Sequence, residues 1–301
     1  MIWIDENSDL LDLGQFDQSL IKNCLNFDQN SSETKINIIC QNKTIGHNLV
    51  RTLDQLSFNH SNIHLRLGWF KDDTHNLTEV FEDETLFIGH DNYCKSFEKV
   101  FNNNTCKISR NARDNNLHIG FQRHFANHTN PRSISLGELS SKLNYVDPML
   151  RNIDGIFFFL DAIRKQESFI AESFVSGMNI EQACRIARFS GMSQSNKLMY
   201  FNIGEQALNP DSSETTALLI WYYIEGAANR HIESIEHRNN HTYMVQHPYF
   251  DDPIRFIKTN ITGRWWFQHP ENQYFVPCTE EDYKAASEGK VPDCLFLSEV
   301  L

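Results

Sequence analysis

The chain has 301 residues, 40% hydrophobic, 12% aromatic and 22% charged, a balance that fits a folded domain with a large core and excludes wholesale disorder. Its net charge of −12 comes without a basic stripe, which excludes a nucleic-acid binder. The seven cysteines are scattered with no Cys-x-x-Cys pair for zinc or dithiol chemistry, so they read as reduced structural thiols.

The opening MIWIDENSDLLDLGQF lacks the basic start and continuous apolar run of a signal peptide, and no stretch reaches the length of a membrane span. A cytoplasmic protein without membrane insertion is the expectation. β-branched or aromatic runs predict strands over 36–40, 64–69, 85–89, 117–121, 155–160 and 197–203. The asparagine-laden stretch 102–116 reads as a loop. Strands alternating with helical patterns predict crossover units and a mainly parallel sheet, with GIFFFL as a central strand buried on both faces.

Asn179 and Gln182 have capping-box spacing ahead of an apolar face of Ile180, Ala183, Cys184 and Ala187, with Gly191 placed to end the helix. Asp211 and Glu214 predict a second box, opening a longer helix through Ala217, Trp221, Ile224 and Ala228. His237 and His241 are spaced i, i+4 with Glu233 near, and read either as one zinc-capable helix face or as a solvated acidic helix end. RFIKTNITGRWWFQHP reads as β-structure ending in turns. Residues 1–240 are expected to form one α/β domain, with 241–301 an extension packed on it. No phosphate loop, nucleophile elbow or dinucleotide fingerprint is present.

Three segments resemble a known family: MNIEQACRIARFSGMS, TTALLIWYYIEG, and the tail GRWWFQHP…FVPCTEEDYKAASEGKVPD with Trp265, Trp266, Pro277, Cys278, Asp282 and Tyr283. They are similar to the arginase/agmatinase/formimidoylglutamase (ureohydrolase) family, above all to arginase-like formimidoylglutamases of Bacteroidetes. The resemblance covers about 153–301. It implies a doubly wound, three-layer α/β/α sheet of arginase type with its site outside the carboxyl ends of the central strands. It also implies two manganese ions bridged by hydroxide, which active members hold with four aspartates and two histidines.

Laid on this chain, the family's Gly-Gly-Asp-His motif falls on Gly89, His90, Asp91 and Asn92, with an amide where the ligand imidazole belongs. Asp-x-His-x-Asp falls on LHIGFQRHF, giving Gly120, Gln122 and His124 or Phe121, Arg123 and Phe125, neither with a carboxylate. Asp-x-Asp-Ala-Ile falls on 159–163, where Phe159 takes the first aspartate's place and Asp161 keeps the second. Glu205 can take the substrate-binding glutamate of Glu-x-Asn-Pro-x-x-Asp and Asp211 its last residue. The chain's Asn209 and Pro210 then come two residues late, so Glu205 is either that glutamate or a bystander.

One carboxylate cannot neutralise two adjacent dications, and a buried lone charge seeks a partner of its own. The expectation is therefore a vestigial site (Gly89, His90, Asp91, Asn92, Phe159, Asp161, Glu205) with no cofactor, in a pseudoenzyme that acts as a scaffold or protein-interaction component. Asp161 is expected to pair with Arg164 or an amide. Trp265 and Trp266 are candidate contact residues or tail packing, and self-association is expected by analogy. The alternative is a manganese-dependent hydrolase of a guanidino or formimino C–N bond, with His90, Asp91, His124 and Asp161 converging on a single metal and Glu205 nearby.

Overall fold

The computed structural model describes residues 34–294 except 54, 57–62, 70–83, 102–103, 128–129, 205–207, 232 and 271–272. The chain divides into two compact units, one of Met1–Ser141 with Asn152–Arg230, the other of Lys142–Arg151 with His231–Leu301. Along the chain come β1 (Thr34–Cys40), α1 (Lys43–Leu53), β2 (Ile63–Trp69), β3 (Glu84–Gly89), α2 (Asp91–Val100), β4 (Thr105–Ile108), β5 (Leu117–Phe121), β6 (Ile134–Ser135) and α3 (Leu136–Lys142). After α4 (Val146–Leu150), in the second unit, the first resumes with β7 (Gly155–Phe159), α5 (Lys165–Ser168), α6 (Ile180–Gly191), β8 (Leu198–Asn202) and α7 (Pro210–Ala228).

Eight strands of the first unit form one sheet in the order β2-β1-β3-β8-β7-β4-β5-β6, every pairing parallel. The buried runs GIFFF and LMYFN are β7 and β8 at its middle, apolar on both faces as strands covered on each side must be. Phe87, Phe97, Phe157 and Tyr200 pack into an aromatic core there, with the Phe87 and Tyr200 rings stacked at 5.2 Å.

The six strands predicted from sequence are present, with ends shifted by at most two residues. The stretch 102–116 is a correction. Its residues 105–108 are β4, seated between β7 and β5 with Cys106 and Ile108 fully buried. Lys107 hides the alternation, because its ammonium is held in the fold by Glu98 (2.9 Å) and Asp114 (2.6 Å).

Asn179 and Gln182 cap α6 reciprocally, as their spacing predicts. The box opening α7 is a second correction: its cap is Asn209 with Ser212, and Asp211 lies inside the first turn behind Pro210. A proline at the first helical position has no N–H to satisfy, and the preceding asparagine is the better cap. Gly191 does end α6, but a contact explains it. A Cβ there would lie 2.0 Å from the Tyr223 carbonyl oxygen, and one on Gly226 would lie 2.1 Å from that of Arg188. The two glycines let the backbones of α6 and α7 meet.

In the second unit, β9 (His241–Val245), β10 (Ile254–Lys258), β11 (Trp265–Gln268) and β12 (Phe275–Cys278) form an antiparallel sheet in the order β12-β11-β10-β9, followed by α8 (Glu280–Ser287). Trp265 is 6% exposed, its ring stacked on those of Tyr243 and Tyr283 at 5.3 and 4.9 Å. It is a core residue of this unit, as the tail-packing alternative has it. Trp266 is half-buried under the Arg151 guanidinium, 5.1 Å from its ring centre. The helix face of Glu233, His237 and His241 does not form, since His241 begins β9 and Glu233 instead receives the Ile261 and Thr262 N–H groups. No helix among the described residues is long and apolar enough to cross a membrane.

Candidate functional site

Because every pairing in the large sheet is parallel, its carboxyl ends lie along one edge. Chain order reverses between β1 and β3, and open sheets bind ligands outside the carboxyl ends at such a reversal. The ends of β3, β8, β7 and β4 are neighbours there.

At the end of β3 the Gly89 carbonyl accepts from the Ile203 N–H (3.0 Å), and His90 then caps α2 with extended backbone. The His90 N–H donates to Gln41 Oε1 (2.6 Å), and its carbonyl accepts from the Tyr200 hydroxyl. His90 Nδ1 lies 2.5 Å from the Gly204 carbonyl oxygen, which can only accept, so Nδ1 carries the proton. Gly204 itself sits at φ +77° with the Glu172 carboxylate 2.9 Å from where a Cβ would stand, so any side chain would be strained there. Asn92 lies in α2.

At the end of β8 the buried Asn202 joins the start of α2 to the segment after β8, donating from Nδ2 to Asp91 Oδ1 (2.7 Å) and accepting from the Gly204 N–H (2.9 Å). Asp91 itself is exposed in the first turn of α2. Glu205 lies outside the described residues.

At the end of β7, Phe159 packs on the aromatic core rather than facing a ligand. Two residues on, Asp161 is 18% exposed. Of its two expected partners Arg164 is corrected, since it pairs with Glu167, while the amide is found in the Arg110 backbone N–H; Arg110, just past β4, also brings Nη2 to 3.5 Å from Asp161 Oδ2. Burial pushes the Asp161 carboxyl up to about 6. Arg110 pulls the other way, and the negative charges of Asp91 and Glu172 add to the rise.

Arg110 is held on several sides. Its Nη1 donates to the Glu172 carbonyl (2.8 Å), and the guanidinium lies 4.2 Å from the Phe174 ring centre and 5.2 Å from that of Phe125. Arg110 Nε and Asp161 Oδ1 are buried with no protein hydrogen-bond partner. The Arg110 carbonyl accepts from the Gln122 N–H (2.9 Å), tying β4 to the end of β5.

Because β4 lies between them, the segment LHIGFQRHF of β5 stands one strand away from β7. Gln122 is 5% exposed and donates to the Ser176 carbonyl (2.6 Å). Arg123 points outward, and His124 is exposed in a 3-10 turn with its ring 4.3 Å from that of Phe125. Among the described residues no three His, Cys, Asp or Glu side chains stand close enough together to hold a metal ion, so His90, Asp91, His124 and Asp161 do not converge.

Sequence reasoning missed Arg110, Asn202, Gln41 and Glu172 at these strand ends. Recognising β4 from the buried alternation of Cys106 and Ile108 would have placed Arg110 beside Asp161.

No protein-family model matches the chain, and no curated protein matches it in sequence. Solved structures do resemble it. A Trypanosoma cruzi formiminoglutamase with Mn2+ is 12% identical with a TM-score of 0.54, the alignment covering 68% of this chain and 96% of that one. A formimidoylglutamase from Bacillus subtilis is 10% identical with a TM-score of 0.53, covering 76% and 97%. An arginase superfamily protein from Trypanosoma cruzi is 10% identical with a TM-score of 0.51, covering 68% and 97%. At such identities the likeness speaks for architecture: the chain has the arginase-type α/β fold.

Proposed function

We propose that this arginase-fold chain is a pseudoenzyme, a scaffold or protein-interaction component whose strand-end site works without manganese. The observation that carries the reading is Arg110 against Asp161. A fixed positive charge stands beside the one carboxylate that the resemblance carries over as a ligand, where a dication would need negative charge on several sides. Nearby groups point the same way: Asp91 is bound by Asn202, Phe159 is packed into the core, and His124 faces outward. This donor set does not fit a pair of manganese ions. The exposed Phe169, Phe174 and Val175, on the segment after β7, offer apolar surface for a protein partner or a second copy.

One observation favours the other reading, a manganese-dependent hydrolase of a guanidino or formimino group. With its Nδ1–H on the Gly204 carbonyl, a neutral His90 keeps a lone pair on Nε2, the arrangement of many metal-bound imidazoles. Purification with added manganese, elemental analysis, and assay for urea or formamide release from guanidino and formimino compounds separate the two. Bound manganese with turnover would overturn the pseudoenzyme reading.

A further inference from the structure

We propose that Arg110 is a built-in counter-cation for the strand-end carboxylates, its guanidinium taking over the charge-neutralising task that a bound dication performs in manganese-holding relatives of this fold. The inference rests on the reading that these strand ends work without manganese.

Three observations meet at this residue. Among the described residues, the cation paired with Asp161 is Arg110, at 3.5 Å. Asp91 and Glu172 add negative charge around Asp161, so the cluster carries more anion than cation, and losing the guanidinium would leave a desolvated carboxylate among like charges. The guanidinium is also fixed: Nη1 bonds the Glu172 carbonyl, and the Phe125 and Phe174 rings lie beside it, 5.5 Å apart and edge to face. An arginine suits this position because its charge persists at every physiological pH and its flat head fits against rings. A lysine would keep the charge and lose the fork.

A charge role and a packing role predict different things. If Arg110 serves Asp161, then Arg110→Met costs much more in the native chain than in an Asp161→Asn background. If Arg110 only packs against Phe125 and Phe174, the two losses are equal. The test is a thermal double-variant cycle on the full chain, with Arg110→Lys as a third variant that keeps the charge. Expected are a fall in Tm of roughly 5 °C for Arg110→Met, less than half of that in the Asp161→Asn background, and an intermediate value for Arg110→Lys. Should Arg110→Met alone fail to fold, folding of the double variant supports the proposal and its failure to fold overturns it. Equal losses in both backgrounds, or Arg110→Lys as damaging as Arg110→Met, also overturn it. The same melts of the native chain are run with millimolar MnCl2 and with a chelator. A manganese-dependent rise would sink the metal-free reading itself, an outcome separate from the result of the cycle.

Discussion

Arg230 forks over Glu84, its Nη1 and Nη2 donating to the two carboxylate oxygens at 2.7 and 2.8 Å where β3 begins. The Tyr223 hydroxyl donates to the same carboxylate, and Arg230 Nε donates to the Gly191 carbonyl (2.9 Å). Glu84 and Arg230 are only 8% and 15% exposed, so removing one charge strands the other in a poorly solvated place. Arg230→Met is expected to cost about 3 to 5 kcal/mol in urea unfolding. Tyr223→Phe, which removes the bond to Glu84 and the one the hydroxyl accepts from Asn196 Nδ2 (3.3 Å), is expected to cost about 1 to 3 kcal/mol. A loss under about 1 kcal/mol for Arg230→Met would show that the pair is solvated.

The helix contact at Gly191 and Gly226 gives a sharper steric prediction. Gly191→Ala forces a methyl group to 2.0 Å from the Tyr223 carbonyl oxygen, so α6 and α7 must separate, at about 3 kcal/mol or more. Gly137→Ala in α3 is the control, because nothing lies within 4 Å of its added Cβ. There, helix propensity should give a gain of about 0.5 to 1 kcal/mol. Denaturation midpoints of the two variants should move in opposite directions.

These glycines show what was legible in the sequence. Periodic apolar faces, the Asn179 box and the β-branched runs gave the sheet and both long helices, because they record burial that each segment carries locally. Gly191 read as a stop signal because its true neighbour, Tyr223, is distant along the chain. Residues 105–108 were lost for a similar reason: Lys107 looks like loop chemistry until Glu98 and Asp114 are placed around it. With β4 unrecognised, Arg110 could not be set beside Asp161, and so the charge at the strand ends stayed hidden.

Asp161 should also leave a signature in stability against pH. Its carboxyl is raised to about 6 in the folded state, chiefly by burial, against an ordinary value near 3.8. For an acid raised by folding, the contribution is fully present below the unfolded value, fades as pH rises through the folded one, and is gone above it. Between pH 4 and pH 7 this group should therefore lower stability by on the order of 2 to 3 kcal/mol. Asp161→Asn should flatten that part of the profile. An unchanged slope in the variant would place the Asp161 carboxyl near its ordinary value.

Phe159→Asp tests the loss of the reaction centre. Restoring one carboxylate next to the aromatic core leaves Arg110 against Asp161 and supplies no second histidine, so no manganese-dependent hydrolysis should appear. The half-buried charge should instead destabilise the fold by about 1 to 2 kcal/mol. Manganese-dependent turnover in this single variant would contradict the assignment of residues to the strand ends.

The most direct measurement is the manganese content of the native chain after loading with excess Mn2+ and desalting, taken together with assay on guanidino and formimino compounds. The pseudoenzyme account predicts manganese far below one ion per chain and no release of urea or formamide above the uncatalysed rate. Two ions per chain with turnover would contradict it.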